Sequence, residues 1–373
     1  MAYIFVPKEL QADENRVAAT PATVKRFIQD KLRVGVEKGA GEKSFFSDEH
    51  YEGAGAEIVS DAETGFRSAD IILMVNPPTS EQIELMPAGS SLISFLCPFQ
   101  DVPVIEHLAK RKVNAFSVNS IPRITRTQDQ DALSSQSNLA GYKAVLLAAV
   151  ACPKIFPLLM TAAGTLRPAR VVVIGAGVAG LQAVATAKRL GAIVEVSDVR
   201  MSVKEQIESL GARFIDLPVR ENLEAASGYA KEASEEFLRK QHEILCKHLI
   251  EADVVITTAL VPGRPAPKLI SAKIVEQMPK GSVIVDLAAQ QGGNCELTVK
   301  GKTVEKFGTT IIGTLNLAGS VPVSASTVYA RNLQSIVLSQ LDKNKKFAWM
   351  MDKQEVSDAL LTYDGAIRKR ETQ

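Results

Sequence analysis

The sequence has few of the residues that build metal sites, disulfide frameworks or strongly charged surfaces. Its 373 residues include four cysteines and four histidines. The cysteines lie far apart, with no CxxC pair and no histidine at ligand spacing, which argues against zinc and against disulfides. Lys plus Arg (43) nearly cancels Asp plus Glu (42), so no strong net field attracts nucleic acid or anionic lipid. No GxSxG, HExxH or EF-hand motif is present.

Long hydrophobic runs are missing as well. The N-terminal MAYIFVPKEL reaches charged residues before an apolar region of signal-peptide length develops. The longest apolar run, from Ala144 to Cys152, spans about half of the roughly 20 residues that a bilayer crossing requires. We therefore expect neither secretion nor a membrane-spanning segment, and any membrane contact to be made through a partner.

Short β-branched runs alternate with amphipathic stretches in two series, one over the first 120 residues and one from Arg170. This alternation predicts two Rossmann-like domains of the α/β class, with parallel sheets covered by helices and linked by long helices. A helix from Asn138 to Ala151 bridges them. The tail, with strand-like runs KFAWMM and ALLTYDGAI, is expected to fold back on the first domain. The predicted domains are 1–133 plus 325–373, and 134–324.

The run VVVIGAGVAG carries the most specific local motif. Gly175, Gly177 and Gly180 form GxGxxG directly after a predicted strand, and Val178 opens the predicted helix. In such a turn the first glycine permits a tight bend, the second lets a pyrophosphate approach the backbone, and the third lets helix and strand pack closely. The C-terminal half is therefore expected to be a Rossmann domain that binds a dinucleotide.

The acid at the end of the next strand indicates which dinucleotide. Asp198 can accept hydrogen bonds from both hydroxyls of the adenine ribose, whereas a 2′-phosphate would bring negative charge against its carboxylate. NAD(H) is therefore favoured over NADP(H). Val199 and Arg200 follow in the same contact region. Arg200 fits three roles that the sequence does not separate: accommodating a 2′-phosphate, lying over the adenine, or a plain surface position.

Two further stretches bring a family into view. PKELQADENRVAATPATV near the start and RITRTQDQDALSSQSNLAGYKAV before the glycines resemble the NAD(H)-binding component of proton-translocating nicotinamide nucleotide transhydrogenases. The resemblance covers essentially the whole chain. Alanine dehydrogenases share the PKE opening, the GAGVAG turn and the QGG segment. The RITRTQDQDALSSQSN segment resembles the transhydrogenases alone.

The resemblance implies a set of site residues. One loop that reaches over the bound nicotinamide would contain Arg123, Gln128, Asp131 and Ser134. Arg123 and Asp131 would fix the nicotinamide, its ribose or the pyrophosphate, and Gln128 would meet NADP(H) held by a partner domain. A polar linker capped by its own charges is the plain alternative. The resemblance also implies a mobile lid with Gly228 and Tyr229, and adenine or ribose contacts from Gln241 and Leu260.

Three acid/base groups of the alanine dehydrogenases are absent. Where their lysine, histidine and aspartate align, this sequence has Val75 and Asn76, Cys97, and Gln290. Oxidative deamination must move a proton as well as a hydride, whereas hydride exchange between two nicotinamide rings depends on placement alone. Arg16, which in a dehydrogenase would hold a substrate carboxylate, is here as compatible with a structural ion pair.

We therefore expect a dimeric NAD(H)-binding subunit, peripheral to the cytoplasmic or matrix-like face of a membrane, that passes hydride to NADP(H) on membrane-spanning transhydrogenase components. Two alternatives stay open: a free-standing, alanine-type amino-acid dehydrogenase, and a non-catalytic NAD(H)-sensing or scaffold protein. One departure from the family pattern concerns the turn after the last strand, where Asn316-Leu-Ala-Gly-Ser320 replaces the usual Asn-x-Pro-Ser-Arg.

Overall fold

The structure is a computed structural model that describes residues 1–98, 100–216, 235–261 and 264–368; of residues 235–239 and Gln241 it describes the backbone alone. The strands are β1 (Tyr3–Val6), β2 (Arg33–Glu37), β3 (Glu57–Val59), β4 (Ile71–Leu73), β5 (Ser91–Ser94), β6 (Asn114–Ser117), β7 (Leu159–Thr161), β8 (Gly164–Leu166), β9 (Arg170–Ile174), β10 (Ile193–Ser197), β11 (Arg213–Phe214), β12 (Val254–Thr257), β13 (Val283–Asp286), β14 (Thr303–Lys306), β15 (Thr309–Ile312), β16 (Leu360–Tyr363) and β17 (Ala366–Ile367).

The helices alternate with these strands, as the βα pattern predicts. They are α1 (Pro21–Gln29), α2 (Asp48–Gly53), α3 (Ala62–Ser68), α4 (Ser80–Leu85), α5 (Val102–Lys110), α6 (Ala132–Ala151), α7 (Val178–Arg189), α8 (Lys204–Ser209), α9 (Glu235–Leu249), α10 (Ala272–Gln277), α11 (Pro322–Ser339) and α12 (Gln354–Ala359). Within the described ranges, no helix combines the length and apolar character that a bilayer crossing requires.

The chain divides into two compact units. Unit 1 comprises Met1–Gln136 and Gly319–Gln373, and unit 2 comprises Ser137–Ala318. The chain passes from unit 1 to unit 2 within α6 and returns immediately before α11. The sequence placed these divisions at 133/134 and 324/325. Helix α6 begins earlier than the expected start at Asn138, because Asp131 caps it: Asp131 Oδ1 accepts a hydrogen bond from the backbone N–H of Ser134 at 2.9 Å.

Unit 1 is built on a sheet with the strand order β17-β16-β6-β5-β4-β1-β2-β3, in which β1 to β6 run parallel. Successive side chains of β1 enter opposite cores, Ile4 and Val6 on one face, Tyr3 and Phe5 on the other. The strand is hydrophobic throughout because helices cover both faces of a parallel sheet. The predicted α/β class with parallel sheets is confirmed.

The tail folds back on unit 1, as expected, but only half of it forms strands. Strand β16 pairs antiparallel with β6, and β17 with β16. The prediction of a strand at KFAWMM is wrong. Trp349 instead stacks on Phe116, with ring centroids 5.0 Å apart and planes 3° apart, and its indole N–H donates to Ser91 Oγ at 2.9 Å. This run packs its side chains on the sheet and does not extend the sheet's hydrogen bonding.

Unit 2 contains a sheet with the order β11-β10-β9-β12-β13-β15-β14, parallel except for β14. This is the doubly wound order, and its topological switch point lies between β9 and β12, where open sheets bind ligands beyond the carboxyl ends of their strands. In unit 1 the same order places the switch point between β1 and β4. The carboxyl ends of these four strands are therefore the places to look for a site.

Candidate functional site

The glycine turn after β9 shows why each of its three glycines is needed. Gly175 has φ +94°, a backbone conformation that favours glycine. A Cβ on Gly180 would lie 1.8 Å from the carbonyl oxygen of Gly175, so any side chain would push α7 off β9. A Cβ on Gly177 would meet no atom of the described residues within 4 Å. Gly177 therefore faces open space at the start of α7, where Val178 is the first helical residue, as the sequence predicts.

Asp198, just after β10, ties two strand ends together. Its Oδ2 accepts a hydrogen bond from the backbone N–H of Ala176 at 2.6 Å and from Arg200 Nη2 at 2.9 Å. Its Oδ1 accepts from the backbone N–H and from Nε of Arg200 at 2.8 and 2.9 Å. Four donors fill the roughly four acceptor positions of a carboxylate. Val199, between the two residues, is half-buried.

The loop after β12 is held by side chains that the sequence did not single out. Thr258 Oγ1 donates to the Gly175 carbonyl oxygen at 3.0 Å. The buried Asn294 bonds Ala259 reciprocally, donating from Nδ2 to its carbonyl at 2.8 Å and accepting its N–H at Oδ1 at 3.1 Å. The expected contact residue Leu260 follows and is 37% exposed. The loops after β9, β12 and β13 thus form one hydrogen-bonded rim around the glycine turn.

Asp286 supports the same rim from below. It is fully buried at the end of β13 and accepts hydrogen bonds from Thr257 Oγ1 at 2.8 Å and Thr298 Oγ1 at 2.6 Å, and from two backbone N–H groups. Since every acceptor position has a donor, Asp286 is structural. Polar residues directly after an apolar strand were the available indication of Asp286 and Asn294, but alone they do not distinguish bracing residues from ligand contacts.

Three expected cofactor contacts cannot be placed by their side chains. Gly228 and Tyr229, assigned to a lid, lie outside the described residues. Gln241 lies on α9, of which the backbone is described at that position. The three assignments stay predictions.

The expected nicotinamide loop lies in unit 1, immediately before α6. Asp131 is the N-cap of α6 and also accepts from Ser134 Oγ at 2.6 Å, while Arg123 Nε lies 3.8 Å from Asp131 Oδ2. These contacts give Asp131 and Ser134 the structural role that a capped linker also has. Gln128 differs: its side chain is exposed and hydrogen-bonds to no other described residue.

A cavity of about 410 Å³ opens on this loop. Three of the expected residues, Arg123, Gln128 and Asp131, line it together with Ile124, Thr125 and Thr127. The cavity is therefore walled by a cation, a carboxylate and an amide within nine residues of sequence. These groups suit hydrogen bonding to an amide and to sugar hydroxyls.

The switch point of unit 1 is filled by the protein's own polar side chains. Glu9, beyond β1, accepts hydrogen bonds from the backbone N–H of Val75 at 2.6 Å and from Asn76 Nδ2 at 3.0 Å. Glu14 accepts from Asn76 Nδ2 at 3.0 Å and from Arg16, whose Nη2 lies 2.6 Å away. Arg16 is thus in a buried ion pair, the structural of its two possible roles.

Burial sets the protonation of this cluster. Glu9 is 7% exposed, and desolvation raises its pKa to about 7, although hydrogen bonds from Val75 and Asn76 act in the opposite direction. Burial would also raise the pKa of Glu14, but hydrogen bonds and the charge of Arg16 lower it below its ordinary value. The cluster therefore holds one dissociable proton near neutral pH, on Glu9.

The stability of unit 1 should fall as pH rises through this interval. Folded Glu9, with its pKa raised from 4.5 to about 7, binds more protons than the unfolded chain between these values, so the contribution is complete below about pH 4.5 and lost above about pH 7. The change amounts to about 3 kcal/mol. Glu9→Gln should flatten this part of a pH series of urea denaturation midpoints, although Gln Nε2 cannot accept from Asn76 and lowers the absolute midpoint.

Glu63→Gln serves as the matched control, because Glu63 is exposed on α3 and pairs with Arg67 in the next turn. It should retain the pH dependence of the wild type. A Glu9→Gln variant with the wild-type slope between pH 5 and 7 would contradict the assignment of the proton to Glu9.

Comparison with known proteins agrees with this geometry. Family models described as Alanine dehydrogenase/PNT match twice, the N-terminal domain over residues 5–140 and the C-terminal domain over residues 144–370. The first portion of the NAD(P) transhydrogenase subunit alpha of Rhodospirillum rubrum, a separate chain, is 45% identical over 372 residues, 98% of this chain and 97% of that one.

Solved structures agree with the same assignment. A transhydrogenase structure from Sinorhizobium meliloti matches with a TM-score of 0.89 at 40% identity, covering 98% of this chain and 99% of that one. An L-alanine dehydrogenase structure matches with a TM-score of 0.81 at 26% identity, covering 98% and 96%. The chain belongs to the Alanine dehydrogenase/PNT family, and it resembles these transhydrogenases more than it resembles that alanine dehydrogenase.

Proposed function

We propose that this chain is the NAD(H)-binding subunit of a proton-translocating NAD(P) transhydrogenase. It transfers hydride directly between NAD(H) in unit 2 and NADP(H) carried by a partner domain. The names of the similar proteins, NAD(P) transhydrogenase subunit alpha and transhydrogenase, support this activity and imply partner subunits. Proton movement belongs to membrane-spanning partners, which hold this chain at the cytoplasmic or matrix-like face.

The glycine turn fits the pyrophosphate of a dinucleotide. Open space over Gly177 lets an anionic group approach the backbone, and the N-terminus of α7 directs its unpaired N–H groups and the positive end of its dipole toward that space. The fit depends on Gly180, because any side chain there would displace α7.

Adenine-ribose recognition requires a rearrangement at Asp198. Its acceptor positions are filled by Arg200 and Ala176, so ribose hydroxyls bind only when the Arg200 guanidinium leaves the carboxylate. The released guanidinium is then available to the adenine face. A 2′-phosphate would instead attract Arg200 but be repelled by Asp198, which keeps NAD(H) the favoured ligand.

The observation that carries the proposal is the closed switch point of unit 1. Glu9, Glu14, Arg16 and Asn76 bond to one another there, so the one cation among these described residues is already committed and cannot take the carboxylate of an amino acid. Asn76, Cys97 and Gln290 also supply none of the acid/base groups that deamination needs. Bound NAD(H) supplies the hydride, and the chain's task is to place it, with Arg123 and Asp131 on the NAD(H) side and Gln128 toward the partner.

We also propose that the chain forms a homodimer through the β7–β8 hairpin of unit 2. This two-stranded hairpin pairs with no other described strand, and such hairpins are marginally stable in water. It exposes Leu159, Met160 (79% exposed) and Leu166. A contiguous apolar surface on an isolated hairpin suits burial against a second copy.

Replacing Asp198 tests the nucleotide site. Asp198→Ala should weaken NADH binding by about 1–3 kcal/mol, because two ribose hydrogen bonds are lost. Equilibrium titration of NADH fluorescence measures the change. Glu208→Gln, at an exposed position on α8, should bind NADH as the wild type does. Equal affinity of wild type and Asp198→Ala would remove Asp198 from the site.

Reconstitution tests the activity. The chain, mixed with the NADP(H)-binding domain of a transhydrogenase, should transfer hydride from NADH to NADP⁺, and L-alanine should give no NADH with the chain alone. Gln128→Asn should slow transfer roughly tenfold while leaving NADH affinity unchanged, since a shortened side chain misplaces the two rings. Rapid-mixing absorbance measures the rate.

Three results would count against the proposal. Alanine-dependent NADH formation would indicate the dehydrogenase, and NADH binding without transfer to any NADP(H)-binding domain would indicate the sensing protein. Equal rates for Gln128→Asn and wild type would leave the loop without its assigned role.

Light scattering tests the dimer. The wild type should have twice the 40.2 kDa chain mass, and Met160→Asp should shift it toward the monomer because a charge enters the buried face. Phe307→Asp, at another exposed turn of unit 2, is the control and should remain dimeric. A dimeric Met160→Asp variant would place the interface elsewhere.

A further inference from the structure

The loop that carries Gln128 is held on both sides of this residue. Before it, Arg126 Nη2 lies 2.7 Å from Glu355 Oε2 of α12, and the buried Thr127 donates from Oγ1 to the Pro122 carbonyl oxygen at 2.6 Å. Gln128 alone in this stretch is both exposed and without a hydrogen bond to another described residue. The loop is thus fixed to unit 1 up to the residue before Gln128.

Beyond Gln128, helix α11 holds the next residue twice. Asn332 Nδ2 donates to the Asp129 carbonyl oxygen at 2.7 Å, and Ser335 Oγ donates to Asp129 Oδ2 at 2.6 Å. The contacts join backbone and side chain of one residue to one face of a helix that lies 203 and 206 positions away in sequence. Together with Thr127 they fix the peptide groups on either side of Gln128, and hence the direction of its side chain.

The amide of Asn332 is not explained by the stability of α11. Asn332 is 5% exposed, and its Oδ1 is buried without a hydrogen bond to any described residue. An unsatisfied buried carbonyl destabilises a fold, whereas leucine, of similar volume, would bury no polar atom. The one hydrogen bond that the amide makes within the described chain is to the Asp129 backbone, which points to a role in holding the loop.

We propose that Asn332 and Ser335 are positioning residues for hydride transfer. They act through Asp129 to hold the Gln128 side chain in the direction from which it meets the nucleotide of the partner domain. This inference rests on the proposed function, in which Gln128 aligns two rings. Neither residue touches a nucleotide itself, so their replacement should change the rate of transfer and leave the binding of NADH unchanged.

Asn332→Leu provides the sharpest test. It should slow single-turnover transfer from NADH to NADP⁺ roughly tenfold, because a freed loop misplaces Gln128. NADH affinity should equal that of the wild type, and the urea midpoint should be equal or higher. Ser335→Ala, which removes the second contact, should slow transfer about threefold on the same physical argument. Thr327→Ala is the matched control on α11, since its hydroxyl donates to the Val323 carbonyl of the same helix.

A double-mutant cycle separates positioning from a general loss of structure. In a Gln128→Ala background, Asn332→Leu should cause no further slowing, because the residue through which it acts is gone. Additive slowing would overturn the proposal, as would a wild-type rate in both Asn332→Leu and Ser335→Ala while the wild-type chain transfers hydride. If Asn332→Leu fails to fold, Ser335→Ala and its cycle with Gln128→Ala decide alone. An inactive wild-type chain would instead remove the proposed function.

Discussion

The contact between Gly180 and the carbonyl oxygen of Gly175 is the constraint on which the nucleotide site depends. At this separation helix α7 lies directly against the end of β9, and its N-terminus comes level with the carboxyl edge of the sheet. Asp198 and Thr258 then hold the intervening turn from two neighbouring strands. A single methyl group at Gly180 would separate helix from strand and remove the shape on which these hydrogen bonds depend.

The two units share one topology but use it differently. Both sheets have a doubly wound order and a switch point, yet among the described residues it is unit 2 that leaves open space there, at Gly177. In unit 1, Glu9 and Asn76 close the equivalent crevice with hydrogen bonds to each other. The difference lies in a few side chains at strand ends, which is why the fold alone does not determine whether such a unit binds a small substrate.

Local periodicity was sufficient for the parallel sheets and for the glycine turn, because both depend on neighbouring residues. It failed at KFAWMM, where an apolar, aromatic run packs flat on the sheet through Trp349. The β7–β8 hairpin was not predicted, since its strands find no further partner within the described ranges. Contacts such as Asn332 with Asp129 join residues 203 positions apart, and no local pattern contains that information.

The order of strands in unit 1 has a consequence for protein synthesis. Strand β6 ends at Ser117, but its neighbour β16 starts at Leu360, after all of unit 2. At typical translation speeds the ribosome needs roughly ten to fifty seconds to cover that interval. Throughout it, the backbone N–H and C=O groups along one side of β6 await their partner, and the nascent chain is exposed there to pairing with another extended polypeptide.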